Sequence, residues 1–95
     1  MFSKLAWEQF CSWANTDNQI LDKILTLIND IKRDPFKGLG KPEPLKHGKA
    51  GYWSRRITAN KQDSDRLTYR VIGKDSEKAI QIAGVRGHYD EVELF

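Results

Sequence analysis

TDNQILDKILTLINDIKRDP, residues 16–35, sets Ile20, Ile24, Leu27, Ile28 and Ile31 at the spacings of three and four that gather apolar side chains on one face of a helix. Thr16 or Asp17 can cap its first turn. Pro35 closes it, because the proline ring disfavours helical geometry in Asp34 and supplies no backbone N–H. Beyond a turn-rich stretch the period changes. In GYWSRRIT, residues 51–58, Trp53, Arg55 and Ile57 alternate with Tyr52, Ser54, Arg56 and Thr58. In RLTYRVI, residues 66–72, Leu67, Tyr69 and Val71 alternate with Arg66, Thr68 and Arg70. Both show the two-residue period of a strand. This change of period decides the fold class: α+β, with helices covering one face of a small antiparallel sheet.

Working outward, Ser3 can cap an earlier helix whose KLAWEQFCSW brings Ala6, Phe10 and Trp13 onto one face, ending near Asn15. Two helices therefore form a hairpin. Residues 36–51 contain four glycines, two prolines and four lysines and read as an ordered loop without repetitive structure. ANKQDSD, residues 59–65, connects the two strands, and the turn in GKDSE leads to a third, KAIQIAGV, residues 78–85. Three strands are expected, with Arg56, Arg66 and Arg70 on the face away from the helices. Gly84 and Gly87 permit a bulge or bend before RGHYD, residues 86–90. Trp7, Trp13 and Trp53 read as core or near-core packing.

Ninety-five residues suit one domain with one modest core. With 39% hydrophobic and 31% charged residues, the composition is that of a folded chain and not a disordered one. Cys11, the single cysteine, excludes an internal disulfide and a cysteine zinc cluster, and reads as a small apolar residue on a helix. No stretch reaches the roughly 18 apolar residues of a membrane helix, and no signal-peptide block opens the chain, so the cytoplasm is the expected location. The formal charge of +3 is unevenly spread: residues 35–70 carry nine basic and three acidic side chains, while the flanking segments are net acidic. That concentration would draw a polyanion such as nucleic acid.

Among familiar catalytic patterns, the chain has no glycine-rich phosphate loop, no paired aspartates for magnesium, no nucleophile elbow and no two-histidine metal spacing. No metal or cofactor is expected. What remains can cleave RNA, whose own 2′-hydroxyl attacks the neighbouring phosphorus when three kinds of help are present. A base takes the hydroxyl proton, cations stabilise the transition-state charge, and an acid protonates the leaving 5′-oxygen. Glu43 suits the base, Arg66, Arg56 and Lys46 the cations, and His88 the acid, with Tyr69 or Tyr89 to stack on or orient a nucleobase. Each has a plainer alternative: Glu43 as charge balance for its lysines, His88 as a surface or capping histidine, and the arginines as a binding face or solvated sheet. Pro42 and Pro44 stiffen the backbone around Glu43 before any ligand arrives.

The segments TDNQILDKILTLINDIKRDPFKGLGKPEPLKHGKAGYWSRRIT, DRLTYRV and GHY closely resemble the YoeB (Txe) family of bacterial toxins within the wider RelE superfamily, over Phe2 to Tyr89. The resemblance implies a microbial-ribonuclease-like fold and a cytoplasmic toxin that cleaves mRNA in the ribosomal A site, inhibiting translation. It also implies a YefM-like antitoxin as partner, and leaves dimerisation of the free toxin open. Residue by residue, it implies Glu43 as general base, Lys46 and Arg56 as RNA contacts, Arg66 as a catalytic cation, His88 as general acid, and Tyr89 as the terminal catalytic tyrosine.

Three departures accompany the resemblance. The family's first strand normally precedes the position of Phe2 and Ser3, so the expectation is either that the sheet lacks that strand, in whole or in part, or that the true start lies upstream. ANKQDSD is longer than the usual connection before Arg66. DEVELF, residues 90–95, follows where the family commonly ends, and forms an extra tail on the single domain. The runner-up reading is a degenerate relative that has lost cleavage and keeps its RNA or antitoxin contacts.

Overall fold

The computed structural model describes residues 1–46, 51–58, 65–73 and 77–87. Helix α1, Lys4–Thr16, begins at Ser3, whose Oγ accepts the Ala6 N–H at 3.0 Å. Helix α2, Asn18–Arg33, begins at Asp17, whose Oδ1 accepts the N–H groups of Gln19 and Ile20 at 3.0 and 3.2 Å. Asp17 also donates its own N–H to Trp13 O at 2.8 Å, so one residue ends the first helix and starts the second. Each such cap satisfies backbone groups that a helix end leaves open, and its loss costs about 1 kcal/mol. Lys32 and Arg33 occupy the last turn of α2, where positive charge opposes the helix dipole, and Asp34 and Pro35 end it as expected.

The strands are β1 (Glu43–Pro44), β2 (Tyr52–Arg56), β3 (Arg66–Ile72) and β4 (Ala79–Gly84), in that spatial order and all antiparallel. The sequence led to three strands and read residues 36–51 as a loop. The fourth, β1, lies inside that loop. It pairs Glu43 with Ser54 and Pro44 with Trp53, and the Leu45 N–H reaches Tyr52 O at 2.8 Å. Pro44 is tolerated there because an edge strand leaves one side of its ladder open. A bulge between Thr68 and Tyr69, opposite Gly84, shifts the β3–β4 register in the glycine-marked region. Met1 to Ser3 run parallel to β4: Ser3 donates to Ile82 O at 2.8 Å and Ile82 to Met1 O at 2.7 Å.

The helices cover one sheet face. Ala6, Ile24, Leu27 and Ile31 meet Ile57, Leu67, Tyr69, Ile82 and Val85, with Phe10, Trp13, Ile20, Ile28 and Trp53 packed around them. Trp7 departs from the expected core position: it is 53% exposed and stacks on Phe10, with ring centres 5.7 Å apart. On the opposite face, Leu45, Tyr52 and Ala83 make a smaller apolar cluster beneath the edge strand. Arg70 lies over the Tyr52 ring and donates to Gln81 Oε1 at 2.6 Å. Among the described residues, no helix is long and apolar enough to cross a membrane.

Candidate active site

Register brings Glu43, Arg56 and Arg66, three of the sequence-selected residues, onto the face away from the helices. Glu43 stands opposite Ser54, Ser54 opposite Thr68, and Arg56 opposite Arg66. Glu43 Oε2 lies 3.9 Å from Arg66 Nη1, and that same nitrogen donates to Ser54 Oγ at 3.5 Å. Ser54 is buried, and periodicity had no means of choosing it: a serine between two positions of interest carries no pattern of its own. The Glu43 side chain is 52% exposed. An ion pair at that distance and exposure contributes at most about 1 kcal/mol, so it does not hold β1 in place, and the carboxylate keeps open lone pairs. Arg66 and Arg56 each have a buried Nε with no hydrogen-bond partner among the described residues. A guanidinium held half-buried with an unmet donor is poised for an anion.

Lys46 follows Leu45, is exposed, and makes no ion pair among the described residues. His88 and Tyr89 lie outside the described residues. The chain leading to them is nevertheless fixed as far as Gly87, which is bonded twice: its N–H donates to Asp65 Oδ1 at 2.7 Å, and its carbonyl accepts the Arg66 N–H at 3.0 Å. Asp65 is held in turn, its N–H donating to Thr58 Oγ1 at 3.1 Å and its carbonyl accepting from Ile57 at 2.9 Å. Asp65 thus ties the end of β2, the start of β3 and the segment before His88. The aspartate beside Arg66 was the available signal, though nothing in its spacing distinguished it from a turn residue.

A second polar centre lies behind the sheet. Arg55, on the helix-facing side of β2, has no exposed side-chain surface. Its Nη1 donates to Asp30 Oδ2 and, at 3.2 Å, to Leu39 O. Its Nη2 donates to Asp34 O at 2.6 Å and Lys37 O at 3.3 Å, and its Nε to the Tyr69 hydroxyl at 3.2 Å. Tyr69 OH donates onward to Pro35 O. Asp30 also accepts the Leu39 N–H at 2.9 Å and both Nε and Nη2 of Arg33. The Leu39 N–H first, and then Arg55, hold the Asp30 carboxyl down at about 2. Burial pushes the Tyr69 phenol above its ordinary range, with Arg55 opposing. Tyr69 is therefore fully buried beneath the sheet and is not placed to stack on a nucleobase, which corrects that expectation. The network fastens residues 34–39 to the sheet, and Gly40 O then accepts the Arg56 N–H at 2.7 Å, so the approach to Glu43 is fixed on both sides.

Comparison with known proteins agrees with this architecture. The chain matches the model of the YoeB-like toxin of bacterial type II toxin-antitoxin systems over residues 2–89. It is 44% identical to Toxin YoeB of Escherichia coli, across 94% of this chain and 96% of that one. The structure of a YoeB/ParE toxin from Agrobacterium tumefaciens superposes with a TM-score of 0.87 at 46% identity, covering 94% of this chain and 97% of the other. The heterotetrameric YoeB-YefM toxin-antitoxin complex of Staphylococcus aureus contains a chain that superposes at 0.78 with 37% identity, covering 94% of each. Helix hairpin, four-stranded sheet and matched sequence all converge, and the chain belongs to the YoeB-like toxins of bacterial type II toxin-antitoxin systems.

Proposed function

We propose that this toxin is a ribosome-dependent endoribonuclease that cuts mRNA in the ribosomal A site without a metal ion. The observation that carries the reading is the meeting of Glu43 and Arg66 across Ser54, with an accessible carboxylate on one side and an unmet guanidinium donor on the other. Glu43 takes the proton from the 2′-hydroxyl as O2′ attacks phosphorus. Arg66, with Arg56 and Lys46, stabilises the charge that builds on the phosphoryl oxygens. The P–O5′ bond breaks, and His88 protonates the leaving oxygen while Tyr89 orients the group. The products are a 2′,3′-cyclic phosphate and a free 5′-hydroxyl. The ribosome would hold the messenger in the reactive geometry, a role that can supply several kcal/mol of the barrier.

The partner that restrains it is a YefM-like antitoxin, by analogy with the Staphylococcus aureus complex. An acidic antitoxin segment that folds on binding suits the basic middle of the chain. Toxin and antitoxin would meet in the cytoplasm, where translating ribosomes are found.

The test is cleavage of mRNA on programmed ribosomes, with 3′ ends read for cyclic phosphate. Glu43→Gln and His88→Gln should each lower the single-turnover rate by about 100-fold or more, with little change in ribosome affinity. Wild-type rates from both variants would remove the mechanism. A wild-type protein that binds ribosomes without cutting, and whose induction leaves cells growing, would instead establish the degenerate-relative reading.

A further inference from the structure

Between α2 and the end of β2 lies a cavity of about 440 Å³, lined by Lys23, Gly40, Lys41, Arg56, Ile57 and Thr58. Its size falls within the roughly 300–1,000 Å³ typical of ligand clefts. Three of its lining residues are cationic and come from three different segments: Lys23 from the first half of α2, Lys41 from the loop and Arg56 from β2. Among the described residues, no carboxylate lines it and none of the three has an ion-pair partner. Like charges gathered without a counter-charge repel, and an anion bound among them would relieve that repulsion. The Arg56 Nε is buried and has no hydrogen-bond partner among the described residues.

The rim is held by the backbone. The bond between Gly40 O and the Arg56 N–H joins the loop to β2, and a Cβ at Gly40 would stand 2.8 Å from Arg56 O. Lys41 follows directly, at φ 50, the single positive-φ position among the described non-glycine residues. A non-glycine side chain in that conformation is uncommon and needs its surroundings to hold it.

From this arrangement we infer that the cavity is a second phosphate site, in which Lys23 and Lys41 hold a backbone phosphate of RNA other than the one that Arg56 and Arg66 serve during cleavage. The inference rests on the ribonuclease reading, because Arg56 is the register partner of Arg66 and so joins the cavity to the catalytic face. A strand held at Arg66 carries one phosphate per nucleotide, and the next contact it needs is an open cationic pocket. Lys and Arg supply charge and hydrogen bonds to phosphate oxygens, and such contacts position a strand without reading its sequence.

The experiment compares wild type with the double variant Lys23→Ala, Lys41→Ala, neither residue belonging to the proposed catalytic set. The first probe is a fully 2′-O-methylated RNA oligonucleotide, which cannot be cut, and the second is programmed ribosomes. The double variant should bind several-fold more weakly. Its log Kd against log salt slope should fall by about 0.7, the value of one single-strand phosphate contact. The double arginine replacement should restore both. Loss toward the oligonucleotide assigns the phosphate to the messenger, and loss toward ribosomes alone assigns it to ribosomal RNA; either supports the site. Unchanged affinity and slope on both probes overturns it, as does weakened binding confined to a polyglutamate peptide. If wild type cuts mRNA and the double variant matches it throughout, only the cavity assignment fails. A wild type that binds neither RNA probe removes both readings together.

Discussion

Arg55 carries a full charge into a place with no exposed surface, and the cost of that burial is several kcal/mol unless every donor is met. Here the guanidinium is met by Asp30, the carbonyls of Asp34, Lys37 and Leu39, and the Tyr69 hydroxyl. Replacing it with an apolar side chain of similar length leaves Asp30 with only Arg33 and the Leu39 N–H, and leaves the carbonyls of Asp34, Lys37 and Leu39 without the Arg55 donor. Arg55→Met should therefore destabilise the protein by roughly 3 kcal/mol, the lower end for removing one side of a buried pair, since Asp30 stays near the surface. Urea titration reads this as a drop in midpoint at unchanged slope. A loss below about 0.5 kcal/mol would mean that the network contributes little. Arg56, one position along, faces the other way and should behave oppositely, its loss acting on RNA binding with little effect on the midpoint.

At the scale of the element, the segment from Asp34 to Lys41 is shaped by contacts and not by a repeating period. Gly38 and Gly40 lie at φ 134 and 75, and a Cβ at the first would stand 2.1 Å from Asp30 Oδ2. Gly40→Ala must accept both a left-handed conformation, about 1–2 kcal/mol, and a clash with Arg56 O. Gly51→Ala, at φ 88 but with open space around it, meets only the first. The prediction is a larger loss of stability at Gly40, with a fall in cleavage rate beyond the unfolded fraction because Glu43 shifts with the loop. Equal losses at the two glycines would show that the close approach to β2 is unimportant. The same contrast explains what could be read in advance. The helices carried their own caps and spacing, and β2 and β3 their alternation, so these were legible. A strand of two residues has no period, and β1 is created by its pairing with Tyr52 and Ser54. Glu43 stood out through its flanking prolines, and Arg66 through its place at the head of a strand. Asp30 and Arg55, by contrast, are 25 residues apart, and their meeting depends on how a helix packs on a sheet.

For the molecule as a whole, Asp30 joins α2, the loop and β2, so its protonation is felt by the entire fold. Its pKa is lowered from 3.8 to about 2, chiefly by the Leu39 N–H and then by Arg55. Between these values the unfolded chain binds a proton that the folded chain refuses, so stability rises with pH across the window. The contribution is complete above the unfolded value near 4 and is lost as pH falls through about 2. Asp30→Asn keeps the shape and removes the titration. The variant should be less stable than wild type at pH 7, and the gap between their urea midpoints should close as pH falls from about 4 to about 2. A gap of constant size over that range would show that Asp30 is not the group whose protonation weakens the fold. Tyr69 provides the opposite limb: with its pKa raised by burial, its contribution is complete below about 10 and is lost as pH rises through the folded value. Tyr69→Phe should therefore flatten the alkaline side of the profile and leave the acid side to Asp30. Two residues that share Arg55 would then account for opposite edges of the pH range in which the catalytic face is held together.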